Sequence, residues 1–274
     1  MAKGWAARDA FIIFEATGGY DHPLRTALEA AGVRFSRVNP LRARRFADAC
    51  GVLAKTDAVD AAMLARMGAQ FDLAETPHQP PERRRLQALN ARRHQLVEAV
   101  KGESNRSKQA TDRWVVADIK RSIRCLEAAI ARYEAEIDKV IAKHETLATT
   151  SCRLQTAPGV GPIVATTLLA EMPELGGISP KAIAALAGLA PFARDSGQRT
   201  PARSIRGARP VPRKLLYLAA LSATRHNPTF KTFRDRLEVH GKTPKQAIIA
   251  AARKLLTVLN AMIRDEKDFE MVNI

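Results

Sequence analysis

The sequence contains few cysteines and no long apolar run. Its three cysteines, Cys50, Cys125 and Cys152, are scattered and never spaced as C-x-x-C, which argues against a disulfide framework and against a zinc site. The longest apolar candidate, at 182–193, is interrupted by glycine and proline, so no stretch reaches the roughly 20 residues of a membrane span. No signal peptide is recognisable at the N-terminus. We therefore expect a soluble, cytoplasmic protein without membrane contact.

Acidic side chains are also scarce. The 274 residues include 28 Asp and Glu against 44 Lys and Arg, which gives a formal net charge of +16. Such an excess favours a polyanionic partner, most simply nucleic acid. Arginine supplies many of the cations, and it pairs bidentately with phosphate and stacks on bases. The apolar content of 46% indicates a globular chain, long enough for more than one domain.

Three regions differ in composition. Residues 9–66 alternate short apolar runs with helical patterns, which is typical of α/β structure, and Thr56 is placed to cap a helix that begins at "DAVDAAM". After the proline-rich "ETPHQPPE" the chain becomes charged and helical, and its last part is mainly helical as well. We therefore predict an α/β domain at 1–76, a linker with coiled-coil helices at 77–150, and a helical domain at 151–274.

A heptad pattern marks the middle region. Apolar residues recur there at alternating intervals of four and three, which is the seam of a coiled coil or of a long helical hairpin. The seam consists of Ile119, Ile123, Leu126, Ile130, Tyr133, Ile137 and Val140. Either it packs antiparallel on the preceding helical segment, or it joins two protomers.

Three carboxylates are candidates for a metal site. Glu15 follows the apolar strand "AFIIF", and Asp57 and Asp60 lie three residues apart in "KTDAVDAAMLA", a spacing that places both on one helical face. Clustered carboxylates attract hard cations such as Mg²⁺, which two-metal phosphoryl chemistry uses. The alternative is structural, because Asp in a first helical turn also caps N–H groups and favours the helix dipole.

The stretch "PGVGP", between two predicted helices, contains Gly159 and Gly161. Backbone N–H groups at such glycines can approach a DNA phosphate, as in the turn of a helix-hairpin-helix, and the next helix N-terminus adds its dipole. An ordinary turn between helices is the alternative.

A basic segment follows this turn. From 194 to 214 its single acid is Asp195, and such a density of cations predicts phosphate contacts. Ser196 stands beside Gly197, where a hydroxyl surrounded by cations could act as a nucleophile on a phosphate. The alternative is an ordinary turn serine. The predicted nucleic-acid contacts in this segment are Arg194, Arg199, Arg203, Arg206, Arg209, Arg213 and Lys214.

The order of these motifs resembles that of one family. "EATGGY", "KTDAVDAAMLA", "PGVGPIVATTLLAE", "LAGLAPFARDSGQR" and "SIRGARPVPRKLLYLAALSA" follow one another as in the DEDD-type transposases of the bacterial insertion-sequence one-ten family. The resemblance covers nearly the whole chain, from Phe11 to Ile263. It implies a RuvC-like, RNase H-fold N-terminal domain, a coiled-coil connector, and a helical C-terminal domain that carries a serine and a helix-hairpin-helix-like turn.

The resemblance also implies roles for individual residues. Glu15, Asp57 and Asp60 match three acids of the family's tetrad, which holds Mg²⁺, and Ser196 matches the serine proposed to attack DNA. The implied function is transposition of an insertion sequence by DNA strand cleavage and rejoining. The implied partners are DNA, a structured guide RNA and further copies of the same chain.

One departure from the family concerns the first acid of the tetrad. The family places it on a separate first strand, whereas only fourteen residues precede Glu15 here, and Asp9 lies immediately before "AFIIF". We interpret this as a start codon assigned too far downstream or as a truncated copy, so we expect a partial RuvC-like domain. Two alternative functions stay open: an inactive remnant that binds nucleic acid, and a RuvC-like metal nuclease in which Ser196 is structural.

Overall fold

A computed structural model describes residues 10–54, 56–192, 204–205 and 209–270. The chain divides into two compact units, and the first unit ends at Gln79.

The N-terminal unit is a small α/β structure. Its elements are β1 (Ile12–Glu15), α1 (His22–Ala30), β2 (Phe35–Val38), α2 (Pro40–Ala49) and α3 (Asp57–Gln70). The β-branched and aromatic residues of β1 favour a strand, and β1 pairs with β2 in parallel, with α1 as the helical connection that parallel strands need. Gly18 and Gly19, with φ of 62° and 108°, turn the chain after β1 in conformations that glycine adopts without strain.

The core of this unit is small, and one glycine brings a helix close to the sheet. The residues buried together are Val38, Ala43, Met67 and Leu73. A Cβ built at Gly68 would lie 1.9 Å from Cδ1 of Ile13. The absence of a side chain at Gly68 therefore lets α3 lie directly against β1.

The C-terminal unit is built from helices and a short antiparallel bridge. Its elements are α4 (Pro81–Gln109), α5 (Arg113–Lys143), α6 (Glu145–Gln155), α7 (Pro162–Glu171), α8 (Pro180–Leu186), β3 (Pro191–Phe192), β4 (Ser204–Ile205), α9 (Pro210–His226), α10 (Pro228–Val239) and α11 (Pro244–Arg264). Proline stands in the first turn of most of these helices, where its missing N–H is not needed for the helical ladder.

The helices α4 and α5 form a long hairpin. They pack extensively against each other, and the short link at 110–112 makes them antiparallel neighbours. Within the heptad seam on α5, Ile137 is buried and the other members are half-buried. The seam therefore belongs to an intramolecular hairpin, and its use as a coiled coil between protomers stays a prediction.

The apolar core of the C-terminal unit is centred on α11. This helix is long and apolar enough to span a membrane by length and composition. Leu255, Leu256 and Leu259 of α11 are fully buried, as is Phe230 of α10, so α11 is the central core helix of the unit. The predicted class, α/β followed by mainly helical structure, is confirmed at this level, and the RNase H-like and helix-hairpin-helix assignments stay predictions.

Candidate functional site

The candidate site of the N-terminal unit lies at the carboxyl end of its parallel strands. Glu15 is the last residue of β1 and is half-buried opposite Val38, the last residue of β2. Asn39 then caps α2, because its Oδ1 accepts a hydrogen bond of 2.9 Å from the backbone N of Leu41. The edge where parallel strands end and a helix begins is the usual ligand-binding position of open α/β sheets.

Glu15 and Asp60 line the same cleft at this edge. The cleft has a volume of about 320 Å³, its walls include the first turn of α2, and Arg44 lines it together with the two carboxylates. Met67, which is buried, contributes to its apolar floor. The cleft therefore combines two oxygen ligands with one guanidinium group, which suits the recognition of a phosphate that carries a cation.

Asp57 is placed differently from Asp60. Both lie in the first turn of α3, which Thr56 caps by accepting a hydrogen bond of 3.3 Å from the backbone N of Val59. Asp60 is half-buried in the cleft, whereas Asp57 is exposed and is not among the cleft residues. The structure therefore brings two of the three predicted carboxylates together, with Asp57 outside the pair.

Glu15 and Asp60 are the two cleft carboxylates that could hold the Mg²⁺ predicted from the sequence. Within the residues that the structure describes, no group of three or more His, Cys, Asp or Glu side chains is arranged to hold a metal ion. Mg²⁺ is commonly held by one or two carboxylates together with waters and substrate phosphates. Glu15 and Asp60 fit that chemistry, and the three-carboxylate arrangement is not assembled.

An ion pair between a buried carboxylate and an exposed guanidinium group secures the turn that follows Glu15. Asp21 is 7% exposed, and its Oδ2 accepts a hydrogen bond of 2.5 Å from Nε of Arg37 on β2. The backbone N of Gly19 donates to its Oδ1 at 3.3 Å. Burial alone would raise the pKa of Asp21, but the hydrogen bond and charge of Arg37 outweigh burial, and the pKa is lowered. Sequence reasoning missed this pair because its members are 16 residues apart and no local pattern joins them.

The turn "PGVGP" lies between α6 and α7, and its two glycines differ. Gly159 has φ of 78°, and a Cβ there would lie 2.2 Å from the backbone O of Ala219 on α9. Gly161 is the N-cap of α7 with φ of −93° and has no neighbouring atom within 4 Å of a built Cβ. Gly159 is therefore required for packing, while Gly161 stands at an open helix N-terminus, as a phosphate contact requires.

Only part of the basic segment can be placed. Ser196, Arg194, Arg199, Arg203 and Arg206 lie outside the described residues. The chain on either side of residues 193–203 is held by the antiparallel pairing of β3 with β4, in which Pro191 lies opposite Ile205.

The partners of Arg209 and Lys214 lie within the protein. Arg209 is half-buried and donates from both terminal nitrogens to Glu174 at 2.7 Å, and it also donates to the backbone O of Glu171 at 2.6 Å. Lys214 donates from Nζ to Oε1 of Glu98 at 2.5 Å. The structure thus gives Arg209 a structural role at the start of α9, and phosphate contacts through Arg209, Arg213 and Lys214 stay predictions.

A polar network connects α4 with α7 close to Arg209. Thr167, fully buried, donates to Oδ1 of Asn90 at 3.3 Å, and Nδ2 of Asn90 lies 3.5 Å from Oε1 of Glu171. Burial raises the pKa of Glu171, against the opposing effects of Asn90 and of the charge of Arg209. Glu171 is therefore a carboxylate whose charge is only partly compensated by its surroundings.

Comparison with known proteins places these features in a family. The family described as "Transposase", of the DEDD type of IS110, matches residues 2–115, and "Transposase IS116/IS110/IS902 family" matches residues 151–235. The pilin gene-inverting protein of Moraxella lacunata is 30% identical over 264 residues, which cover 94% of this chain and 81% of the relative. The 42 kDa protein of insertion element IS900 from Mycobacterium paratuberculosis is 33% identical over 188 residues, which cover 66% of this chain and 42% of that protein.

These matches identify a transposase of the DEDD type. The two matched regions contain all the catalytic candidates, since Glu15, Asp57 and Asp60 lie in the first and Ser196 lies in the second. The chain belongs to the IS110 family of transposases.

Proposed function

We propose that the protein cleaves and rejoins DNA strands to move or invert an insertion sequence, and that a structured RNA directs it to its sites. The observation that carries the proposal is the shared cleft of Glu15 and Asp60 at the carboxyl ends of β1 and β2, inside the region that matches the DEDD family. The Moraxella relatives are named for gene inversion, which supports recombination over simple cleavage.

Ser196 would act as the nucleophile in this reaction. Its hydroxyl oxygen forms a bond to a DNA phosphorus, the bond from phosphorus to the strand's own bridging oxygen breaks, and that oxygen takes up a proton while the serine proton passes to solvent. The number of phosphoester bonds is unchanged, so rejoining by the reverse attack needs no external energy source. The cations of the segment from 194 to 214 would stabilise the charge on the phosphate.

The cleft would hold the reacting phosphate group. Glu15 and Asp60 would be the ligands of Mg²⁺, which supplies stabilisation of the negative charge that develops on the phosphate. Arg44, which lines the same cleft, would pair with a non-bridging phosphate oxygen. Asp57 would complete the ligand set, as the family resemblance implies.

The RNA and the oligomer are further parts of the proposal. The family resemblance implies a structured RNA partner, and the formal charge of +16 suits a protein that binds polyanions. A homo-oligomer would supply more than one active site for two DNA duplexes. Target choice would then be carried by base pairing with the RNA, as it is in other RNA-guided proteins.

The test compares Ser196→Ala with variants of the cleft in a strand-transfer assay. We expect Ser196→Ala to lower strand joining by at least about a thousandfold, because the covalent step loses its nucleophile, while binding of labelled element-end DNA is unchanged. Glu15→Gln and Asp60→Asn should lower joining by at least about a hundredfold through the loss of metal ligands. Asp72→Asn, exposed in the same unit and outside the cleft residues, is the matched control and should retain activity.

The outcomes separate the alternatives. Unchanged Mg²⁺-dependent cleavage by Ser196→Ala, with loss in the two cleft variants, would indicate a metal nuclease. DNA binding without strand transfer in the parent chain, over a range of Mg²⁺ concentrations and with the element's RNA present, would indicate a binding remnant. The effect of Asp57→Asn decides whether this residue acts with the Glu15 and Asp60 pair.

A further inference from the structure

We propose that the outer face near the tip of the α4–α5 hairpin binds single-stranded DNA, with Trp114 stacking on an unpaired base. The site consists of Arg113, Trp114, Lys120, Arg121 and Arg124 of α5, hereafter called the tip face. It is distinct from the basic segment at 194–214 and from the cleft of Glu15.

The tryptophan is unusually exposed. Trp114 is 76% exposed in the first turn of α5. Within the described part of the chain, it takes part in no ring pairing or cation–π contact. A large aromatic side chain left mostly in water adds little to the stability of the hairpin, whereas it offers a π surface to a nucleobase.

The helix places cations beside this ring. Arg113, Lys120 and Arg124 follow at intervals of seven and four residues, so they lie on one face of α5. All three are exposed, and no ion pair within the described residues involves them. Arg121 stands seven residues after Trp114, so it lies on the same side of α5 as the indole ring.

The charge and shape of the tip face favour a nucleic-acid strand. Between 113 and 124 the acid on α5 is Asp118, which pairs with Arg121 at 3.4 Å. The heptad seam, with Ile119 and Ile123, points to the other side of the helix. Arg113 and Arg124 are separated by about 16 Å along the axis, which corresponds to roughly four or five phosphates of a stacked strand.

An unpaired strand fits the tip face better than a duplex or a second copy of the protein does. In a duplex the base faces are covered by stacking, so an indole ring gains little there, whereas an unpaired base presents its face. A second copy of the same face would bring like charges together, which disfavours self-association. Because the chain belongs to a DNA transposase family, we assign the strand as DNA.

The first experiment uses Trp114 as its own probe. The sequence has two tryptophans, and Trp5 lies outside the described residues. In the full chain carrying Trp5→Phe, we expect a short oligodeoxythymidylate to quench the remaining tryptophan fluorescence in a saturable way. The blunt duplex of the same length should quench far less. Unchanged fluorescence at saturating oligonucleotide would overturn the proposal.

The second experiment measures affinity. Trp114→Ala should weaken binding of the oligodeoxythymidylate by roughly 5- to 100-fold, since stacking is lost for one base, and Trp114→Phe should restore most of it. The control is Val239→Ala, which removes another exposed apolar side chain, 85% exposed on α10, and should leave affinity within about twofold. A Trp114→Ala variant that binds as tightly as the parent would contradict the assignment.

A third comparison tests the cations. The double variant Lys120→Gln with Arg124→Gln should flatten the dependence of log affinity on log salt by about 1.4, because each phosphate contact on a single strand contributes about 0.7. Lys242→Gln with Lys245→Gln removes the same charge from exposed positions and should not change the slope. Equal slopes in the two double variants, tighter binding of the matching RNA oligonucleotide, or a self-association in sedimentation that Trp114→Ala abolishes, would each overturn the assignment to DNA.

Discussion

The two units differ in how they hold their functional residues. The N-terminal unit has a small buried core. It places Glu15 and Asp60 through a close helix–strand contact at Gly68 and through the ion pair of the buried Asp21 with Arg37. The C-terminal unit surrounds α11 with a far larger apolar core. Polar contacts therefore position much of the candidate site in the N-terminal unit. In the C-terminal unit, backbone packing sets the position of the turn at 158–162.

The largest effect is expected from a single methyl group in the C-terminal unit. Gly159→Ala places a Cβ against the backbone O of Ala219 and forces a non-glycine residue into a left-handed conformation, so the free energy of unfolding should fall by about 2–5 kcal/mol. Gly161→Ala has open space and an ordinary φ and is the control, with a change below about 1 kcal/mol. Hydrogen exchange, read separately for α7 and for β1, measures both variants.

Equal free energies of unfolding for Gly159→Ala and Gly161→Ala would contradict the expected role of Gly159 in packing. The comparison would also fail if the protection of β1 fell as much as that of α7, because the two units would then unfold as one.

An intermediate effect is expected from the ion pair of the N-terminal unit. Asp21→Asn leaves Arg37 without its carboxylate, so the N-terminal unit should lose about 1–3 kcal/mol at neutral pH. Because the pKa of Asp21 is lowered on folding, its contribution is present above the unfolded value of about 3.8 and is lost as the pH falls through the folded pKa. Hydrogen exchange of β1 and α1 at several pH values measures the loss.

The control for this variant is Asp48→Asn. Asp48 pairs with Arg44 at 3.2 Å on the surface of α2, where its side chain is 49% exposed, so its removal should cost under about 0.5 kcal/mol. Equal losses of unfolding free energy in the two variants would show that the pair of Asp21 with Arg37 stabilises this unit no more than a surface pair does.

The smallest effect is expected at Glu171. Its pKa is raised on folding, first by burial, so its contribution to stability is present below the unfolded value of about 4.5 and is lost as the pH rises through the folded pKa. Glu171→Gln mimics the protonated form and should raise the free energy of unfolding by about 1 kcal/mol at neutral pH, with no gain at pH below 4.5. Urea unfolding at the two pH values measures the change.

Glu136→Gln is the matched control in the same unit. The pKa of Glu136 is lowered by its hydrogen bond with Lys139, so this substitution should bring no gain at neutral pH. A loss of stability in Glu171→Gln would mean that the hydrogen bond with Asn90 outweighs the burial of the charge.

Local features of the fold could be predicted because their causes are local. Thr56 and Thr243 are followed by helical patterns, and both cap helices in the structure, Thr243 through a capping box with Gln246. The run "AFIIF" covers all of β1 except its last residue, Glu15, and "VRFSRVN" contains β2. These elements follow from side-chain preferences over a few residues.

The site geometry could be predicted only in part because it depends on contacts between distant residues. Spacing placed Asp57 and Asp60 on one helical face, but the close approach of Gly68 to Ile13 decides how α3 lies on β1, and only Asp60 reaches the cleft. The role of Arg209 depends on Glu174, which lies 35 residues earlier. Pairings of this kind leave no pattern in a single sequence.

The hydrogen bonds of Arg209 and the bridge between β3 and β4 determine how much a change in length of the serine-bearing segment costs in stability. The chain is fixed at Pro191, opposite Ile205, and again at Arg209, so the described residues on either side of 193–203 are held together. In general, once the ends of a connection are held, doubling its length costs only about 0.6 kcal/mol. An insertion or deletion at 193–203 would therefore change the free energy of unfolding of the C-terminal unit little, even where it abolishes the proposed role of Ser196.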